Sequence, residues 1–350
     1  MRVALLTGPC APGECGVGDY TDCLDKVLRA GGIESRVIAS GDWDVLSVLK
    51  LSRSMREQNF DIVHIEYPTA GFGTSFTPQL LSLLRSCVVT IHEASQRHLL
   101  RKLSLLPFTV RAQHVIFTSE FEREFVTKWA PWIFEASSVI PVGSSIGMAA
   151  RNRQRTLDEI VHFGLIIPHR GLEEVLELGR LIQKRGLSMK VRIVGKAPAK
   201  HLNYFETLKS QAKELPVIWD LDLPEAEVAM RLAETSIAYL PYPDGVSERR
   251  TSLKAALLNG NAVITTRGAH TPGNLETVVR FAQTPEQALA SIYDLMSHAQ
   301  EITRMSNAAV HSAQRYTWER IAELHVRVYE GLLSGKFAHD RIRPAAGSGN

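Results

Sequence analysis

The run SIAYLPYPDGVSERRTSLKAALLNGNAVITT, residues 236–266, decides the architecture. It opens on an apolar, β-rich stretch, Ser236–Leu240, and closes on another, Asn261–Thr265. Between them two prolines and Gly245 shape a turn, and a short helix follows that ends at Gly260. A strand, loop, helix and strand within about thirty residues form a βαβ unit, whose two strands lie parallel.

The same alternation continues in both directions. In the second half the β-rich runs are Ile160–Gly164, Lys190–Val194, Val217–Trp219 and Val279–Ala282. In the first half they are Val3–Thr7, Ser35–Ala39, Ile62–Glu66, Cys87–Ile91, His114–Thr118 and Ser138–Pro141. Helix-period segments fit between them; the clearest is Asp19–Ala30, where Tyr20, Cys23, Leu24, Val27 and Leu28 make one stripe. The expected fold is therefore α/β, with two Rossmann-like domains built on parallel sheets.

The stretch Gly143–Asp158 loses periodicity and turns to Ser, Gly, Ala, Asn and Arg, which marks a linker. Residues 1–150 are expected to form the first domain and 151–316 the second. A last helix runs from Thr317 as N-cap to Leu333, with Ile321, Leu324, Val328 and Leu332 in register and with Trp318 and Ile321 expected to be buried. It defines a closing segment, 317–335. Residues 336–350 are Arg-, Pro-, Ala-, Gly- and Ser-rich and are expected to be disordered.

The 350 residues, 45% of them apolar, are enough for two cores. With 40 Lys plus Arg against 37 Asp plus Glu the formal charge is only +3, which argues against a nucleic-acid partner. Cys10, Cys15, Cys23 and Cys87 are too few for a disulfide framework, and without a CxxC pair ordinary packing is favoured over a metal cluster. Val3–Leu6 is too short for a signal peptide and no run reaches membrane-spanning length, so a cytoplasmic location is expected. The stretch from Arg97 to Leu103 is basic and amphipathic. It is compatible with peripheral contact to the inner face of a membrane, and equally with an ordinary helix that has a solvated face.

Four loops at strand ends could carry chemistry. Gly13–Asp19 follows the first strand, and Gly16, Val17 and Gly18 would let backbone approach an anionic ligand; the alternative is a tight connection. His92 and Glu93 follow the strand Val88–Ile91, where a histidine can donate to a substrate hydroxyl or simply bond a neighbouring loop. Arg170, beside the start of the helix from Leu172, wants an anionic partner, either a phosphate or the nearby Glu173 or Glu174. In Pro241–Leu253, Arg249 and Arg250 with the hydroxyls of Ser247, Thr251 and Ser252 precede a helix, an environment that suits a diphosphate; a solvated charged loop is the alternative.

In order and spacing these segments resemble the GT-B retaining glycosyltransferases, the group often described as glycosyl transferases group 1. The resemblance spans nearly the whole chain. It takes in Gly16–Ala30, Asp61–Glu66, the VVTIHE strand ending at Glu93, FTSEFEREFV at Phe117–Val126 and VIPVG at Val139–Gly143. It continues through FGLIIPHRG at Phe163–Gly171, RIVG at Arg192–Gly195, Tyr239–Thr266 and YTWERIA at Tyr316–Ala322. The resemblance implies a nucleoside-diphosphate sugar as co-substrate, bound by the second domain, and an acceptor, glycan or lipid-linked, bound mainly by the first. It implies hexose transfer in a central cleft between them, retention of configuration, no obligatory metal, no other cofactor, and a place in polysaccharide biosynthesis. The site residues it implies are His92, Arg170 and Glu248 for catalysis. For the donor it implies Gly16, Val17, Gly18, Arg170, Lys196, Asp244, Gly245, Ser247, Glu248, Arg249, Arg250, Thr251 and Ser252.

Two departures qualify this. Counting back from Gly260 places Ser247 and Ala255 where the family carries a Glu-x7-Glu pair, so both carboxylates are missing. If the loop is longer, Asp244 and Gly245 stand for the usual Glu-Gly, and Glu248 is a second candidate to hold sugar hydroxyls. The basic residue usual after the FG strand is replaced by Leu165, while Arg170 matches the second one. A subset of the family carries an SERR-type loop instead, in which Arg249 or Arg250 supplies positive charge. The lost glutamates motivate a rival reading, a non-catalytic relative acting as a partner subunit. An epimerase or phosphatase on the same scaffold is a further rival, and an oxidoreductase ranks last because no GxGxxG follows either opening strand.

Overall fold

The computed structural model describes residues 1–11, 15–39, 43–44, 47–95, 103–150 and 155–335. They fall into two compact units, Met1–Val142 with the segment from Trp318 onward, and Gly143–Thr317.

The first unit is built on six parallel strands: β1 (Arg2–Leu6), β2 (Glu34–Ile38), β3 (Ile62–Tyr67), β4 (Val88–Ile91), β5 (His114–Phe117) and β6 (Ser137–Val139). Their order is β2-β1-β3-β4-β5-β6. β3, β4 and β5 are buried along their whole length, as parallel strands covered on both faces must be. One face packs under helices Ser47–Glu57, Thr77–Leu84, Leu106–Arg111 and Glu120–Thr127, around Met55, Leu81, Phe108 and Val126. The other lies under Gly16–Ala30 and Trp318–Leu333, around Leu24, Leu28, Ile321 and Tyr329.

The second unit repeats the plan with β7 (Thr156–Leu165), β8 (Lys190–Lys196), β9 (Val217–Leu221), β10 (Thr235–Leu240), β11 (Ala262–Thr265) and β12 (Arg280–Phe281). The order is β12-β11-β10-β7-β8-β9, again all parallel. Helices Leu172–Lys184, Leu202–Gln211 and Pro285–Ser297 cover one face; Glu225–Glu234, Thr251–Leu258 and Ala299–Ala313 cover the other. In each sheet the strand order reverses beside the first strand, between β1 and β3 and between β7 and β10, and in open α/β sheets ligands bind outside the carboxyl ends at such a switch point.

Three expectations need correction. The division falls after Val142 rather than at residue 150. Ile146 is buried in the second core, Ser144 N–H donates to the Tyr316 carbonyl at 3.1 Å, and Asn259 Oδ1 accepts from Ala149 N–H at 2.9 Å. The apparent linker is therefore anchored. Its last residues also belong to a strand, because β7 begins at Thr156, where Thr156, Leu157 and Asp158 are exposed and show no apolar pattern. Trp318 is half-buried, packed at 5.2 Å on Tyr20, whereas Ile321 is fully buried as read. Residues 336–350 and the greater part of the basic stretch, 97–102, lie outside the described residues. No described helix is long and apolar enough to cross a membrane.

Candidate functional site

In the second unit, the loops after β7 and β10 flank the switch point and are locked together. Gly171 has φ +81° and stands against Pro241, whose carbonyl a Cβ there would strike. Gly245, φ +83°, stands as close to Gly268 in the loop after β11. Val246 N–H donates to the Thr266 carbonyl at 3.0 Å and Tyr242 N–H to Thr266 Oγ1 at 2.9 Å, which fixes the 241–250 loop from the other side. Just before Gly171, His169 holds φ +61°, a left-handed backbone that a non-glycine residue adopts at a cost.

This scaffold presents cations. Arg170 is exposed, and among the described residues no carboxylate pairs with it; of its two acidic neighbours, Glu173 instead accepts from Tyr204 Oη at 2.7 Å. Lys196 is exposed at the carboxyl end of the adjacent β8. Helix Thr251–Leu258 starts at the same loop with no side-chain cap from Arg250 and no acid in its first turn, and the Leu253 backbone there bonds Tyr242.

Arg250 and Glu248 are each paired within the unit. Arg250 pairs with Asp244 and stacks on Tyr242, 4.6 Å from the ring centroid. Glu248 pairs with Arg315 at 3.3 Å. Both carboxylates offered for sugar hydroxyls are thus held by arginines of the same unit. Ser247 is half-buried, Thr251 is exposed and Ser252 Oγ hydrogen-bonds Tyr242 Oη at 2.8 Å. Ala255 is fully buried within the helix. Beside it lies Lys254, 1% exposed, with Nζ 4.9 Å from the centre of the Tyr316 ring. Burial pushes this amine down to about 7; Arg315 adds to the effect and Glu248 opposes it.

The first unit builds a different environment at its switch point. Glu66, at the end of β3, is 0% exposed, and its Oε2 is 2.8 Å from His92 Nε2. His64, on the same strand, bonds Tyr329 Oη at 2.6 Å and Thr90 Oγ1 at 2.7 Å. His325 bonds the Ile321 carbonyl at 2.8 Å and Tyr20 Oη at 3.3 Å. Burial lowers His64 to about 4 and lowers His325 as well. Burial alone would raise Glu66, but the surrounding imidazoles and the His92 bond outweigh it and hold the carboxyl below its ordinary value. His64, Glu66 and His325 lie within 4.8 Å of one another, a spacing open to a metal. Both ring nitrogens of each histidine are already engaged, so the group is a hydrogen-bonded network. Sequence reading found His92 but missed its partners: His64 and Glu66 sit inside a strand, and His325 and Tyr329 in a distant helix.

The glycine segment opens the first helix. Gly16, Val17 and Gly18 form the first turn of helix Gly16–Ala30. A side chain at Gly18 would strike Cys10 Sγ, so that glycine serves packing, while Gly16 stays open. Gly13 lies outside the described residues. Cys10, Cys15, Cys23 and Cys87 are free thiols.

Solved structures share this architecture. A glycosyltransferase from Rickettsia africae superposes with a TM-score of 0.73 at 12% identity, over 95% of this chain and 98% of that one. Anabaena HepE, solved in complex with UDP and glucose, gives 0.66 at 15% identity over 95% and 100%. Sucrose-phosphate synthase from Thermosynechococcus elongatus gives 0.64 at 13% identity over 96% and 100%. Two six-stranded parallel sheets with this likeness establish the GT-B fold. No protein-family model matches the chain, and no curated protein matches it.

Proposed function

We propose that the protein is a glycosyltransferase that takes a hexose from a nucleoside-diphosphate sugar, with retention of configuration and without an obligatory metal. The observation that carries this reading is the β7–β10 switch point, where the exposed cations Arg170 and Lys196 and the start of helix Thr251–Leu258 flank two loops pressed together at Gly171 and Pro241. Unpaired cations beside a helix start on a rigid frame suit a diphosphate. Structures that share the fold support the choice of ligand: Anabaena HepE was solved with UDP and glucose.

In the transfer, the bond from the anomeric carbon to the diphosphate oxygen breaks and a bond to the acceptor hydroxyl oxygen forms. The acceptor's proton passes to the departing diphosphate. Arg170 and Lys196 oppose the charge that grows on that leaving group, and Arg249 and Arg250 complete the loop. With its two carboxylates tied to arginines, the loop meets the sugar through Gly245, Ser247 and the backbone. His92 of the first unit is read as a contact to a sugar hydroxyl. The acceptor is a glycan or a lipid-linked sugar of polysaccharide biosynthesis. Contact with an anionic membrane surface belongs to the same reading. It is supported by Leu103, Leu106 and Val110, which follow the basic stretch in sequence and expose large apolar side chains.

Incubation with UDP-glucose and other nucleoside-diphosphate sugars, followed by NMR, tests the proposal. Slow release of free sugar with a retained anomeric signal is expected, and it should be unaffected by a chelator. Binding without turnover in any donor and acceptor mixture would instead support the non-catalytic relative that the missing Glu-x7-Glu carboxylates suggest.

A further inference from the structure

Glu66 is costly where it stands. A carboxylate taken fully out of water carries a penalty of several kcal/mol unless its partners repay it, and an apolar residue would suit the interior of β3 better. Its shortest bond explains its presence. An ionised carboxylate only accepts, so at 2.8 Å the His92 Nε2 must carry the hydrogen. That leaves Nδ1 as the other face of the ring, and among the described residues it has no hydrogen-bond partner.

The rest of His92 is held with equal care. Its N–H donates to the Tyr67 carbonyl at 2.9 Å and its carbonyl accepts from Thr118 Oγ1 at 3.1 Å. The edge of Tyr20 packs on the ring at 4.8 Å between centroids, with planes at 79°. Beyond the ring, Glu122 fixes the following loop by accepting from Ala94 N–H at 2.8 Å and Ser95 N–H at 2.9 Å. A ring locked at backbone, face and one nitrogen is prepared to use the other nitrogen.

We infer that Glu66 is the positioning residue for His92: it locks the Nε2–H tautomer and so presents Nδ1 as a hydrogen-bond acceptor for a carbohydrate hydroxyl. This rests on the reading of His92 as a contact to sugar. The arrangement follows the carboxylate–imidazole logic in which a buried acid sets the tautomer and takes no proton itself. The ligand class is a neutral polyol hydroxyl, which can donate to Nδ1.

Two measurements on the full chain decide it. Long-range proton–nitrogen NMR on protein labelled at histidine, with His92→Gln to assign the signal, should show Nε2 protonated and Nδ1 bare. In Glu66→Gln the amide carbonyl can take over as acceptor and the pattern should persist, whereas Glu66→Ala should give a mixture of tautomers. With UDP-glucose as probe, Glu66→Ala and His92→Ala should each lower kcat by roughly tenfold, and the double variant should be no worse than His92→Ala alone. A merely structural carboxylate would give additive losses. Nδ1 protonated in the parent, an unchanged tautomer in Glu66→Ala, or additive losses would each overturn the proposal. If Glu66→Ala does not fold, Glu66→Gln carries the NMR test, and loss of the Nε2–H pattern there overturns it. His92→Ala as active as the parent would overturn the proposal while leaving the diphosphate site of the second unit intact.

Discussion

The two switch points hold their charge in opposite ways. In the second unit Arg170 and Lys196 are exposed and await a partner, while in the first Glu66, His64 and His325 are fully buried and bonded to His92, to Tyr329 and Thr90, and to Tyr20 and the Ile321 carbonyl. A cation meant for an anionic ligand has to stay hydrated while the site is empty, since an unpaired charge in the interior costs several kcal/mol. Groups meant to orient a side chain can be buried where hydrogen bonds hold them. The difference separates a binding surface from a holding frame.

The contrast should be widest in acid. Histidines whose folded value is below the ordinary 6.5 are neutral when native and charge readily when unfolded. Their stability contribution is therefore intact at higher pH and is lost as pH falls from 6.5 toward about 4. The second unit has one such histidine, His162, bonded to the Tyr239 carbonyl at 3.0 Å; the first has His64, with His325 shifted the same way. At pH 5 each group held near 4 costs about 2 kcal/mol. Hydrogen exchange across pH 7 to 5 should show the first unit opening before the second, with His162→Gln protecting only the second. Simultaneous opening in the parent would erase the contrast.

Lys254 gives the next largest effect, as a buried amine in the unit whose Arg170 and Lys196 are exposed. Its folded value of about 7 lies below the ordinary 10.5, so the cost of its charge is full below about pH 7 and shrinks as pH rises toward 10.5. Lys254→Met should raise the melting temperature at pH 7, and roughly 2 kcal/mol of that gain should vanish by pH 9. A gain independent of pH would mean that the amine is not strained by burial.

A smaller effect is expected at Asp244, whose side chain is 75% exposed although it pairs with Arg250. Asp244→Asn should cost about 0.5 kcal/mol of stability and, by releasing Arg250, tighten nucleoside diphosphate binding slightly. Weaker binding in calorimetry would show that Asp244 itself touches the ligand.

Legibility in the sequence followed burial and distance along the chain. Strands were readable where covered parallel strands are rich in apolar and β-branched residues, as the VVTI of β4 and the AVIT of β11 show. The polar start of β7 was not, since Thr156–Asp158 project into solvent and look like linker. Arg170 and the arginines of the 241–250 loop stood out because they follow strands. Their pairing did not, because Arg315 meets Glu248 from 67 residues away. Glu66 was hidden for the same reason: nothing local distinguishes a strand carboxylate that will meet His92, 26 residues on, from one that reaches solvent.

The central claim is a diphosphate site on the second unit, and calorimetry with UDP on the parent and on Arg170→Ala tests it most directly. The parent should bind, and the variant, folded as the parent is, should bind roughly ten- to a hundredfold more weakly, the loss expected for one charge-assisted contact. Equal affinity in the two proteins would contradict the account and remove the diphosphate from the β7–β10 switch point.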